Sequence, residues 1–249
     1  MPRISFAPFR LLHVLPWLVV AAASRVVASG GTPAGILATL VATIATMHAF
    51  VLTTRFAIES AGGRTQLGDI GFGEQLRLSL STLWRIVLLL LVVALLLQFF
   101  EFPTLASNTL LGIDGMAFDQ ITSVGKFWSA TIAALVLVMI VSAEQSGGKV
   151  TFFKAVAQLA WRWPWLGHAV LVLGIIYLGL GFAQGLVRDA IWQFWQTSET
   201  SPFTKNLVYF VFIFSFAMLR LWATLLTLTF ALKQSYVQNQ PTDISSANP

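Results

Sequence analysis

The chain has 249 residues, of which 57% are apolar and 10% charged. Soluble domains carry roughly a quarter charged residues, so this composition excludes a water-soluble globular fold and puts the chain in a membrane. The absence of cysteine excludes disulfides and thiolate chemistry, and the formal charge of +5 is scattered between apolar runs, with no basic domain for nucleic acid.

About 20 residues at about 1.5 Å each cross a hydrocarbon core of roughly 30 Å. Six apolar runs approach that length, at residues 11–28, 33–54, 86–102, 127–143, 165–187 and 206–232. Runs such as "IVLLLLVVALLLQFF" are continuous rather than alternating, which favours helices over barrel strands. The first run, with Arg3 and Arg10 before it and "AAAS" within it, also fits a signal peptide. Read as six spans, the chain leaves Arg3, Arg10, Arg55, Arg64, Arg77, Arg85, Lys149, Lys154, Arg162 and Lys233 on one side and Lys126, Arg188 and Lys205 on the other. The positive-inside rule then predicts cytoplasmic N- and C-termini, in a bacterial inner membrane.

The first span is entered through Phe9 and Arg10, and the second ends at "ESAGGR", residues 59–64. "EQSGGK" at residues 144–149 repeats that motif after the fourth span. Glycine just past a helix end, followed by a cation, is a helix stop, so Gly62, Gly63, Gly147 and Gly148 are assigned that role rather than a phosphate loop. A mixed segment follows each stop, residues 72–84 and 151–163, leading into the next span through Trp84 and Arg85 or Trp161 and Arg162. In the second, Phe153, Val156, Ala157, Ala160 and Trp161 share a helical face opposite Lys154 and Gln158; both segments are predicted to be helices lying in the cytoplasmic interface. The pattern predicts an all-α polytopic fold of three hairpin repeats, about residues 9–60, 72–145 and 152–236, in a single domain over 1–237. Residues 238–249 form a polar tail with the composition of a disordered segment.

The linker "GGRTQLGDIGFGEQLRLSLSTLWR" resembles that of the membrane domain found with bacterial glycerophosphoryl diester phosphodiesterases and of its stand-alone relatives. Gly63, Arg64, Leu67, Gly68, Asp69, Trp84 and Arg85 carry the likeness over about thirty residues, and the second linker lacks the "LGD" element. The resemblance implies a six-helix fold and no activity, because the phosphodiesterase barrel is absent from this sequence.

Charged residues inside spans are the natural candidates for function. Arg220, Arg25 and Glu101 fall about 20, 22 and 24 Å from the cytoplasmic boundary, close to one level. Ala217, Arg220, Thr224 and Thr227 share a stripe that should face the bundle interior, and Glu101, the acid within a span, is the expected counter-ion. This layer is either a buried structural pair or a site for an anionic group.

His13, His48 and His168 lack a partner at metal-ligand spacing, and no catalytic signature is present, so neither cofactor nor metal nor enzymatic activity is expected. Small residues at Gly35, Ala38, Ala42, Ala45 and Ala49, and at Gly174, Gly181 and Gly185, predict close helix packing, within the chain or between copies. Residues 190–196, with Trp192 and Trp195, and the loop 103–125 are expected along the outer membrane surface. Two functions fit: a non-enzymatic accessory, scaffold or assembly factor whose partners are membrane lipids and another membrane protein, or a small transporter or lipid-handling protein.

Overall fold

The computed structural model describes residues 14–28, 33–60, 65, 70–120 and 122–238. Its elements are α1 (Leu15–Ala28), α2 (Ala34–Ser60), α3 (Phe72–Phe99), α4 (Pro103–Leu110), a 3-10 turn (Asp114–Met116), α5 (Ser123–Gln145), α6 (Phe152–Trp161), α7 (Trp163–Thr197) and α8 (Pro202–Gln238). No strand occurs among the described residues. Five helices, α2, α3, α5, α7 and α8, are long and apolar enough to cross a membrane. The 14 residues of α1 are also apolar but shorter than a span; Gly62, Gly63, His13 and the tail beyond Gln238 lie outside the described residues.

The central helix is α5. From Ser129 to Ala143 nearly every side chain is buried, and Ser129, Ala130, Ala133, Ala134, Ser142 and Ala143 are small enough for neighbours to approach closely. Helix α1 lies along α2, where Ala21 and Ala22 meet a face carrying Ala42, Ala45 and Ala49, all essentially unexposed. Helices α7 and α8 make a second close pair. The α3 and α5 helices, expected as an equivalent hairpin, touch over only a short stretch; α4 packs between α3 and α5, and α5 packs more extensively on α7.

Helix α5 stops at Gly147 and Gly148, with φ of 63° and 84°, and the Gly148 N–H donates to the Ala143 carbonyl at 2.8 Å. The glycines there supply the left-handed backbone that a helix stop needs.

The two mixed segments differ. Residues 152–161 form the separate helix α6, ended by Arg162 because Pro164 cannot continue an N–H ladder. Residues 72–84, expected as a second separate surface helix, are instead the first turns of α3, which runs unbroken to Phe99. Past Gly73 in the first turn no glycine or proline interrupts them, and Ser79 and Thr82 are buried against the bundle. The predicted apolar face of α6 points away from the protein, with Phe153 84% and Trp161 77% exposed, while Ala155 faces inward.

Two further expectations are corrected. Residues 190–196 do not leave the bundle to lie flat: they continue α7, which extends for 35 residues until Pro202 opens α8. Nor is the 103–125 loop at the surface throughout, although α4 is mostly exposed or half-buried. After α4 the chain turns inward, and residues 112–118 are all buried.

Candidate functional site

The inward segment holds its shape through its own side chains and those of α5. The Trp128 indole N–H donates to the Thr109 carbonyl at 3.2 Å, the Gln120 amide donates to the Leu111 carbonyl at 2.5 Å, and Thr122 caps α5 by accepting from the Gly125 N–H at 3.1 Å. Gly112 and Gly115 admit this packing: a Cβ on Gly112 would lie 2.8 Å from Trp128 Nε1, and one on Gly115 would collide with Ser129. Protein thus encloses this irregular backbone, with residues 112–118 all buried.

The segment delivers two carboxylates. Asp114 Oδ2 accepts from Arg25 Nη1 at 2.9 Å, and Oδ1 accepts from the Thr43 hydroxyl at 3.0 Å. Burial pushes the Asp114 carboxyl above its ordinary value of 3.8, and the Arg25 charge and the Thr43 hydrogen bond oppose that rise only in part. Asp119 Oδ1 accepts from Arg220 Nη2 at 2.7 Å and from Lys126 Nζ at 3.0 Å.

Phe118, between the two acids, serves both arginines. Its ring lies under the Arg25 guanidinium at 5.3 Å, and its carbonyl accepts from Arg220 Nη1 at 3.2 Å. The opposite side of Arg220 is covered by the Tyr177 ring at 4.8 Å. Thr224 donates to the Arg220 carbonyl at 2.6 Å, which commits its one proton, so the Tyr177 hydroxyl 2.6 Å away is the donor to Thr224.

Arg220 and Arg25 are thus brought to one segment, as their common level predicts, while Glu101 is not their counter-ion. Glu101 is exposed in the turn that ends α3, with φ of 63°. The acids that pair with the arginines are Asp114 and Asp119, placed by sequence reading in a surface loop and so passed over. In the cluster three cations, Arg25, Lys126 and Arg220, face two carboxylates. Exposure is uneven: the Arg220 side chain is 1% exposed, Lys126 9%, Asp119 27% and Arg25 29%.

Of the predicted anchors, Trp161, Arg162, Trp192 and Trp195 lie near helix ends, whereas Trp84 and Arg85 fall in the middle of α3. Trp84 and Trp161 are exposed; Arg85 donates back to the Ser81 carbonyl at 2.8 Å, and Arg162 reaches Ser235 of α8 at 2.7 Å. Trp192 and Trp195 sit at the far end of α7 with ring centroids 6.2 Å apart, and Trp195 meets Tyr209 of α8 at 5.6 Å. With Arg188 and Ile191 these residues line an open cavity of about 270 Å³. His48 lies buried with Nδ1 2.9 Å from Ser79 Oγ and its ring edge-on to Trp17. Ser79 donates its proton to the Gln75 carbonyl, so its oxygen accepts from His48 Nδ1–H, the reverse of a base taking a proton from a nucleophile. Compared with protein-family models, with curated proteins and with solved structures, the chain matches none.

Proposed function

We propose that the chain is a non-enzymatic integral membrane protein of six spans, in three successive hairpins. Both termini face the cytoplasm of a bacterial inner membrane, and it acts as an accessory, scaffold or assembly factor for other membrane components. The reading takes α1, continued by the apolar residues before it, as the sixth span, and α6 as an interfacial helix whose apolar face enters the leaflet.

The observation that carries this reading is the enclosure of Arg220. Its guanidinium is satisfied by Asp119, the Phe118 carbonyl and the Tyr177 ring, with 1% of the side chain exposed. A transporter's charge must meet its substrate, whereas a charge locked from all sides fixes helices relative to one another. Outside this lock, α3, α7 and α6 present large apolar side chains over much of their length, surface available to lipid and to neighbouring helices.

The test is extraction in native lipid nanodiscs, with co-purifying proteins identified by mass spectrometry for the parent chain and for Phe153→Glu combined with Trp161→Glu. A scaffold loses defined membrane-protein partners in the α6 variant while remaining folded. Solute flux into proteoliposomes that is abolished by a folded Arg220→Gln variant would refute the reading.

A further inference from the structure

One face of α7 carries a series of features that the scaffold role does not use. Tyr177, Gly181, Gly185, Arg188, Trp192 and Trp195 follow at steps of three and four residues and therefore line one side of the helix. At the inner end Gly181 is pressed against the charged cluster: a Cβ there would lie 2.9 Å from Asp119 Oδ1 and would collide with Lys126 Nζ. One turn further out, a Cβ on Gly185 would meet nothing within 4 Å, which leaves a notch. On the same turn the Gln184 amide oxygen is buried without a hydrogen-bond partner. The next turn brings Arg188 and the aromatic cavity shared with Tyr209.

Charge makes the notch attractive to an anion. Arg220 and Lys126 are both nine-tenths or more buried and share a single carboxylate oxygen, so this part of the cluster holds one positive charge in excess. It is open on the Asp119 side, the side next to Gly181. Arg188 is held by its neighbour Asp189 only at 3.8 Å, with both side chains largely exposed. Height fits as well. Measured along α7 from Arg162, Gly181 lies at about 28 Å and Arg188 at about 39 Å. A hydrocarbon core of roughly 30 Å thus ends near Gly181, and the notch and cavity fall among headgroups.

We propose that this face binds one phospholipid from the leaflet on the side of the α7–α8 turn. Its phosphate sits in the Gly185 notch between Lys126 and Arg188, where two cationic donors meet one anion. A hydroxyl- or amine-bearing headgroup supplies the donor that the Gln184 oxygen lacks and lies under the rings of Trp192, Trp195 and Tyr209. The acyl chains follow the flank of α7 that exposes Ile175, Leu178 and Phe182. The site stands whether or not the chain scaffolds a complex, because it needs only the bundle and a bilayer.

The test is native mass spectrometry of the delipidated full chain, titrated with phosphatidylglycerol, with diacylglycerol of the same acyl chains, and with inorganic phosphate. The parent chain is expected to retain one phosphatidylglycerol in preference to diacylglycerol. Gly185→Leu fills the notch from a Cβ that meets nothing within 4 Å, and Lys126→Gln removes a charged donor; each should weaken retention about tenfold, the worth of a charged hydrogen bond. Gly179→Leu, equally open but on the other side of α7, should leave binding unchanged. Unaltered phosphatidylglycerol retention in folded Gly185→Leu overturns the proposal even if Lys126→Gln fails to fold. Equal retention of diacylglycerol overturns the phosphate contact, and displacement of lipid by equimolar inorganic phosphate assigns the site to a free anion instead.

Discussion

Arg220 on α8 and Asp119, 101 residues earlier in the chain, meet at 2.7 Å inside the bundle, and Asp119 holds Lys126 with the same oxygen. The sharing makes the two members unequal. Asp119→Asn strands two buried cations and should cost about 3–5 kcal/mol, the scale for breaking a buried pair from one side. Arg220→Met leaves Asp119 still paired with Lys126 and should cost no more than about 2 kcal/mol. Reversible unfolding in mixed micelles measures both, and an Arg220→Met loss larger than the Asp119→Asn loss would contradict the shared-oxygen arrangement.

Tyr177 acts on Arg220 through its ring more than through its hydroxyl. Tyr177→Phe gives up the hydrogen bond to Thr224, and side-chain hydrogen bonds between membrane helices average about 0.6 kcal/mol. Tyr177→Leu also removes the aromatic face 4.8 Å from the guanidinium, where a desolvated cation–π contact contributes about 2 kcal/mol. The same unfolding assay should rank the leucine variant well below the phenylalanine variant.

The glycines of α7 divide into tight and open positions. A Cβ at Gly174 would collide with the Phe127 ring, so Gly174→Ala should destabilise by about 1–3 kcal/mol as an overpacked contact. A Cβ at Gly185 meets nothing within 4 Å, so Gly185→Ala should be neutral or stabilise by up to about 1 kcal/mol through helix propensity. Sequence spacing alone groups Gly181 with Gly185 as a close-packing pair, and thermal melts of the two alanine variants would separate the classes.

Apolar run length made the helical class and five long helices legible, and the level of Arg25 and Arg220 could be counted from boundary cations. Their partners could not be found that way. Asp114 and Asp119 lie outside every apolar run, so a search for charges within spans passes over them and settles on Glu101. The usable signal was the apolarity of "LLGIDGMAF", too greasy for a solvated loop and punctuated by Gly112 and Gly115, whose lack of a Cβ admits α5. Only tertiary packing shows that such a segment folds inward. The fusion of residues 72–84 into α3 follows from the absence of a glycine or proline between Glu74 and the apolar run, while Pro164 marks the corresponding break before α7.

The buried Asp114 gives a pH dependence of defined sign. Its carboxyl holds a proton more tightly in the folded chain than its ordinary value of 3.8, because burial outweighs Arg25 and Thr43. As pH rises from 3.8 through the raised folded value, the folded state binds more protons than the unfolded one, so this group's contribution to stability falls. Asp114→Asn abolishes that fall. The difference between parent and variant in unfolding free energy should therefore be largest near neutral pH, to the variant's advantage, relative to their difference in acid. A difference that does not vary with pH would show that Asp114 titrates alike in both states.

Topology is open to a direct test because the chain has no cysteine, so each introduced thiol is the sole site of labelling. Ser146 lies at the α5 stop, and Thr200 lies in the exposed turn between α7 and α8. Helix α7 is 35 residues long and separates the two regions by about 50 Å at about 1.5 Å per residue, more than a hydrocarbon core. In sealed right-side-out vesicles a membrane-impermeant maleimide should label Thr200→Cys immediately and Ser146→Cys only after permeabilisation. Ser5→Cys, ahead of the first apolar run, adds the decisive arm for the sixth span. If α1 and the residues before it cross the bilayer from a cytoplasmic N-terminus, Ser5→Cys is protected together with Ser146→Cys. Immediate labelling of Ser5→Cys together with Thr200→Cys would leave the chain with five crossings and its termini on opposite faces.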